Sequence, residues 1–334
     1  MNISFFDDKP FLEDLYFKLD TLLLFKNINI DELNNLLFYG PSGSGKSTKV
    51  YALLASIFNS SKVYDLKNMS FEDDKKIFSY KSSIYHVEVD IFNLGSNDKI
   101  FIQNFLKNYT ETRNIGLDIP KIVFIKNAQL LSKQSQLSMR KLIENNYHSS
   151  RFIFEINSFD NFSDPLKSRC LAIRVPIPKF DDIKICIKNY SLKKNHNIND
   201  TDIDYIINNS NINRQLNLKK IFGYYRFFIV TNSHFNFIYY DKFKELGDII
   251  SKKVTFISIN KIRELIHQMY INLVPMDELI EYIFNLTVDK YKDNNDYIDK
   301  IIQLYNETYQ RFKNGNKDCL HAEYFIISVI TIDI

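Results

Sequence analysis

The run Gly40-Pro41-Ser42-Gly43-Ser44-Gly45-Lys46-Ser47, followed by Thr48, carries the clearest chemistry in this chain. It matches the spacing G-x-x-x-x-G-K-[ST]. In such a loop backbone N–H groups curl round phosphate oxygens, the lysine reaches the β- and γ-phosphates, and the serine hydroxyl ligates magnesium. Glycine suits it because the backbone visits positive φ and lies close to the ligand. The expected ligands are therefore ATP or ADP together with Mg, the latter on Ser47. A hydrolysing loop of this kind also needs an aspartate for the metal, and often a glutamate for the attacking water, at the end of a second apolar strand. Here Ile122-Val123-Phe124-Ile125 runs into Lys126-Asn127-Ala128-Gln129. Lysine does not bind magnesium, and asparagine is no useful base at neutral pH. Glu88 or Asp90, at the end of Tyr85-His86-Val87-Glu88-Val89-Asp90, is the alternative source of an acid. His86 is read as structural.

The elements that must position these residues follow from periodicity. Asn35-Leu36-Leu37-Phe38-Tyr39 is a short apolar strand stopping at Gly40. Val50, Leu53, Leu54, Ile57 and Phe58 then recur on one face of a helix. Further strands are expected at Ile84–Val89, Ile122–Ile125 and Phe152–Ile156, with helices around 98–108 and 131–146. Strands alternating with helices predict an α/β core, a parallel sheet covered on both faces. Past Val175-Pro176-Ile177-Pro178 the strand signals fade and the pattern turns helical. The reading is an α/β unit over 1–176, a small helical domain over 177–235 and a larger helical one over 236–334. The Phe- and Tyr-rich stretch 222–243 fits either helix or strand.

Composition excludes more than it selects. With 43 Lys+Arg against 40 Asp+Glu, the formal charge is +3, so attraction to nucleic acid must come from local clustering. The three cysteines, Cys170, Cys186 and Cys319, show no C-x-x-C spacing, which argues against a zinc site and a disulfide framework. Acidic residues near the N-terminus and the lack of a long apolar run argue against a signal peptide or a membrane span. The expectation is a soluble intracellular protein without a membrane partner.

Taken in order, these motifs resemble the small subunits of replication factor C, the AAA+ clamp loader of eukaryotes, over nearly the whole chain. Leu36–Ser47 is similar to the family's phosphate loop. Ser83–Val89, followed by Gly95-Ser96-Asn97-Asp98-Lys99-Ile100, resembles the one small subunit whose ATPase centre is degenerate. Leu131–Gln136 and Arg140–Glu144 resemble the helix after the acidic motif, and Asn157-Ser158 stands where the family keeps the sensor 1 asparagine. Ser168-Arg169-Cys170, flanked by Asp164–Lys167 and Leu171–Pro176, resembles the arginine-finger motif. His321–Ile326 is similar to the last collar helix. Three departures stand out: Lys126 and Asn127 for the acidic pair, Asn213 with Arg214 one place late at sensor 2, and Phe6-Asp7-Asp8-Lys9-Pro10 for the N-terminal adenine-contacting pattern.

The resemblance implies a P-loop AAA+ core over 1–176, a helical lid over 177–235 and an all-α collar for oligomerisation over 236–334. Its implied partners are the other replication factor C subunits of a hetero-pentamer, a PCNA-type sliding clamp and primer–template DNA. Nucleotide would be held by residues 40–48 and Asn157, and Arg169 would act in trans on a neighbour's nucleotide. Lys99, Lys107 and Arg140, with Lys133 beside them, match helices that line the DNA channel, a solvated basic face being the alternative. Ile57 and Phe58 are candidates for touching the clamp or for core packing. The implied compartment is a nucleus, or a viral replication compartment in a host cell.

Overall fold

The computed structural model describes residues 28–334 except 74–75, 115, 117, 195, 197, 211–215, 232–237, 251–255, 272–273, 275, 293, 315–317 and 333–334, with isolated positions before residue 28. The Phe6–Pro10 pattern and Asn213–Arg214 lie outside the described residues. By its contacts the chain divides into two compact units, 1–207 with 216–225, and 208–215 with 226–334.

The first unit is built on a seven-stranded sheet of order β2-β3-β4-β5-β6-β1-β7. Its strands are β1 (Leu36–Tyr39), β2 (Lys67–Asp73), β3 (Lys76–Ser82), β4 (His86–Asp90), β5 (Lys121–Lys126), β6 (Ser150–Ile156) and β7 (Leu171–Arg174). Strand β1 runs parallel to β6 on one side and to β7 on the other. Successive side chains of a strand point to opposite faces, and both faces here are apolar. Leu36, Phe38, Ile122, Phe124 and Ile153 pack on the side of helix α1 (Lys46–Ile57). Leu37, Val123, Ile125, Phe152 and Phe154 pack on the side of α2 (98–110) and α3 (Lys133–Asn145). Continuous apolar strands are what burial on both faces demands.

The sheet is mostly parallel, as the alternation of strands and helices predicts. The antiparallel hairpin β2–β3 was not legible. Most of its residues are exposed, Met69 and Ile77 among them, and only Phe71, Phe78 and Tyr80 turn toward the core cluster. Strand β4 begins at His86 rather than Ile84, because the Ser83 hydroxyl accepts the N–H groups of Tyr85 (3.2 Å) and His86 (3.1 Å) and holds a turn there. The centre of α2 is a π-helical stretch, Phe101–Leu106. Buried Asp98 joins α2 to α3 by accepting the Ser132 N–H at 2.7 Å, while Ser132 caps α3 through the Ser135 N–H. Helices α4 (Phe180–Lys193), α5 (Asp200–Ser210) and α6 (Leu218–Thr231) follow the sheet. His196 Nδ1 and the Tyr225 hydroxyl lie 2.8 Å apart.

The second unit holds α7 (Ile238–Ile250), α8 (Phe256–Ile271), α9 (Met276–Lys290), α10 (Asn295–Asn314) and α11 (Asp318–Ile332). Helix α11 packs against α8, α9 and α10. Its Ala322, Phe325, Ile326, Val329 and Ile330 are buried with Ile266, Leu279, Ile283 and Ile301. That inward face is apolar, while Leu320, Tyr324 and Thr331 remain exposed. The stretch 222–243 is helical wherever it is described. Among the described residues no helix is long and apolar enough to cross a membrane.

Arg151, at the start of β6, is the largest fully buried side chain among the described residues. Its guanidinium donates to the carbonyls of Leu33 and Asp31 before β1, of Tyr147, and of Ser150 at 2.9 Å. These bonds tie the entry of β1 to the start of β6. Replacing Arg151 by Met would leave several buried carbonyls without donors. Arg151→Met is expected to cost about 2–4 kcal/mol, read as a lower urea midpoint with an unchanged slope.

Candidate functional site

The loop after β1 takes the shape its glycines permit. Gly40 has φ 153°, and a Cβ there would lie 2.1 Å from the carbonyl oxygen of Val175. Gly43 has φ 75°, and a Cβ there would lie 2.0 Å from Asn217 Oδ1. The Leu218 N–H donates to Gly43 O at 3.0 Å, so the start of α6 is fastened to the loop. Lys46 is buried and folds back along the loop. Its ammonium donates to Gly40 O (2.9 Å), Pro41 O (3.0 Å) and Asn157 Oδ1 (2.9 Å). Burial lowers its pKa, and the charge of Glu155 works in the opposite direction. Ser42 is exposed, and Thr48 is half-buried in the first turn of α1. Ser44 is fully buried, and its hydroxyl has no hydrogen-bond partner. Glycines at close approach, a convergent lysine and an orphaned buried hydroxyl fit a phosphate group.

The end of β5 shows what replaces the acids. Lys126 Nζ lies 2.9 Å from Glu88 Oε1 and 3.0 Å from the Tyr51 hydroxyl, which donates to Glu88. Burial, then the charge and hydrogen bond of Glu88, push the Tyr51 phenol up. Asn127 stands at φ 54° and donates to Asp90 Oδ1 at 2.8 Å, and Asp90 also caps the Phe92 N–H. Both alternative acids are therefore engaged elsewhere. His86 is buried, with Nδ1 2.8 Å from Ser83 Oγ, and burial pushes it down to about 4. It is a neutral packing residue.

One acid near the loop was not singled out in the sequence. The Ser47 hydroxyl donates to Glu155 Oε2 at 2.6 Å. Glu155 lies on β6 opposite Phe38 of β1, two residues before Asn157, which places both on the face toward α1. The available signal was a lone carboxylate within the otherwise apolar Phe152–Ile156.

The residues attributed to trans action and to DNA form a second group. Arg169 follows the single turn Asp164–Lys167 and is held by Glu144, with Nε to Oε1 at 2.8 Å, and by Pro165 O at 2.6 Å. Arg140 Nε donates to the same Glu144 oxygen at 3.1 Å. Hydrogen bonds from Arg140 and then Arg169 hold the Glu144 carboxyl below its usual range. Lys99 Nζ donates to Gln134 Oε1 at 3.0 Å across α2 and α3. Lys107 and Lys133 are exposed on those helices. Ile57 and Phe58 are partly buried against the core, and Phe58 stacks on Tyr85 at 4.3 Å.

A mostly parallel sheet with a phosphate loop after β1, the strand between β6 and the edge strand β7, followed by an all-helical C-terminal region, defines a P-loop fold of the AAA+ type. A DNA polymerase III gamma subunit-related protein from Thermotoga maritima has a similar fold, with a TM-score of 0.50 at 12% identity over 94% of this chain and 100% of that one. In sequence the chain is similar to replication factor C subunits. It is 27% identical to replication factor C subunit 5 of Saccharomyces cerevisiae over 90% of this chain and 89% of that protein. A protein of Acanthamoeba polyphaga mimivirus named as a replication factor C small subunit is also 27% identical, over 95% of this chain and 87% of its own length. Human replication factor C subunit 3 is 30% identical over 47% of this chain and 46% of its own. No protein-family model matches the chain.

Lys49, buried in the first turn of α1, gives the site a pH signature. Burial pushes its ammonium down to about 8 from an ordinary 10.5. Between those values the unfolded chain binds a proton that the folded chain does not, so stability from this group rises with pH. Below the folded value the penalty is constant, roughly 3 kcal/mol at most. Lys49→Met is expected to be the more stable protein at pH 7, with its advantage shrinking toward pH 10. Urea midpoints of both proteins across that range check the sign.

Proposed function

We propose that this chain is one subunit of a hetero-pentameric clamp loader that uses ATP to open a PCNA-type sliding clamp and load it onto primed DNA. In this reading residues 40–48 and Asn157 hold ATP or ADP with Mg, and the chain's own site does not hydrolyse the nucleotide. Arg169 completes the site of a neighbouring subunit. The observation that carries the reading is an intact phosphate loop beside a β5 end whose Lys126 is spent on Glu88 and whose Asn127 is spent on Asp90. End-to-end similarity to replication factor C small subunits supplies the assembly. The helices of 236–334, with buried α11 at their centre, are proposed as the collar.

Bound magnesium would supply charge neutralisation on the phosphates, and Ser47 is the loop residue placed to hold it. Lys46 would exchange its loop carbonyls for phosphate oxygens. A planar guanidinium suits Arg169 to a developing phosphoryl charge, and a finger of this kind is worth about a thousandfold or more in rate. To reach a neighbour, Arg169 must leave Glu144, which assembly would bring about by offering a more negative partner.

Steady-state ATPase of the reconstituted complex with clamp and primed DNA tests this reading. Arg169→Ala is expected to lower hydrolysis steeply, Arg169→Lys to rescue it poorly, and neither to change nucleotide binding by this chain. Lys46→Ala should abolish that binding. Wild-type turnover by the Arg169→Ala complex at saturating ATP would return Arg169 to a structural role on Glu144.

Lys99, Lys107 and Arg140 are proposed to face duplex phosphates from α2 and α3. Removing any one of these charges should lower the slope of log affinity against log salt by about one unit without altering sequence preference. Filter-binding titrations of the triple Ala complex at several salt concentrations measure it, and an unchanged slope would leave these residues as a solvated face.

A further inference from the structure

We infer that Glu155 is the carboxylate that organises the loop's magnesium ion, acting from β6 in place of an acid at the end of β5. The inference rests on the reading that residues 40–48 bind nucleotide.

A serine hydroxyl has one proton and two lone pairs. To ligate a cation through its oxygen, Ser47 must direct the proton to an acceptor on another side. Glu155 Oε2 already takes that proton at 2.6 Å, which leaves the lone pairs of Ser47 for the cation. Magnesium is commonly held by one or two carboxylates plus substrate phosphates, and it keeps several waters. A carboxylate against Ser47 is placed to serve as a direct ligand or to orient such a water. Of the acids on β4, Glu88 is bound by Lys126 and Tyr51, and Asp90 by Asn127 and the Phe92 N–H. Glu155, by contrast, is hydrogen-bonded to the loop itself. It lies on the strand that also delivers Asn157 to Lys46, and the buried hydroxyl of Ser44, which has no partner in the protein, is a second, independent feature suited to a ligand at the same loop.

A carboxylate in this role separates binding from hydrolysis. It orders the cation through Ser47, while the position at the end of β5 remains Asn127, which accepts no proton. The chain would then hold its nucleotide in a magnesium-dependent way and keep it.

The test is binding of a fluorescent ADP analogue to the full chain, in EDTA and across a magnesium titration, for wild type, Glu155→Gln, Glu155→Asp and Glu88→Gln. Glu155→Gln is expected to need about 10–100-fold more magnesium for the same gain in affinity. Its affinity in EDTA should be equal or tighter, because one negative charge near the phosphates is gone. Glu155→Asp should restore part of the magnesium response, and Glu88→Gln should keep all of it. A purely structural role for Glu155 would instead weaken binding in EDTA and in magnesium alike, and that result overturns the inference. So does an unchanged magnesium response in Glu155→Gln, or its loss in Glu88→Gln, or a wild type whose affinity ignores magnesium. A wild type that binds no nucleotide under either condition fails the proposed function itself and the inference with it.

Discussion

The ammonium of Lys46 is the contact on which the site depends. It joins Gly40 O and Pro41 O at the base of the loop to Asn157 at the end of β6, so one charge fixes the loop relative to the sheet. That bridge requires β6 beside β1, which follows from the crossover that places the first strand between the sixth and seventh. It also requires a loop narrow enough for carbonyls to converge, hence glycine at 40 and 43. The buried guanidinium of Arg151 does similar work at the opposite end of the same two strands.

Around this contact the electrostatics are consistent once Lys126 is recognised as part of a buried pair. A lysine at the end of an apolar strand costs desolvation unless it is paired and hydrogen-bonded. Glu88 and Tyr51 supply both. Glu88 thereby serves the buried pair, while Glu155, on β6, meets Ser47.

Glu144 plays a corresponding part at the edge of the core. A single oxygen receives Arg140 and Arg169, so the residue proposed to meet DNA and the residue proposed to meet a neighbour's nucleotide share one counter-charge. Both arginines are partly exposed, where ion pairs contribute little to stability. Their pairing is therefore easily exchanged for phosphate.

Much was written locally. The phosphate loop, the helix after it, the strands β1, β5 and β6 and the absence of acids at 126–127 are read from spacing and from apolar runs, because adjacent residues along the chain impose them. The motif resemblance likewise carried the fold and the family. The hairpin β2–β3 stayed hidden because most of its residues meet solvent, and with Met69 and Ile77 exposed beside Phe71, Phe78 and Tyr80 its apolar residues follow no clean alternation. What only tertiary structure decided is which groups meet across strands. That Glu88 answers Lys126, that Asn157 answers Lys46 and that Glu155 answers Ser47 depends on strand order and register. Each partner lies far away in sequence, and no local pattern encodes the pairing.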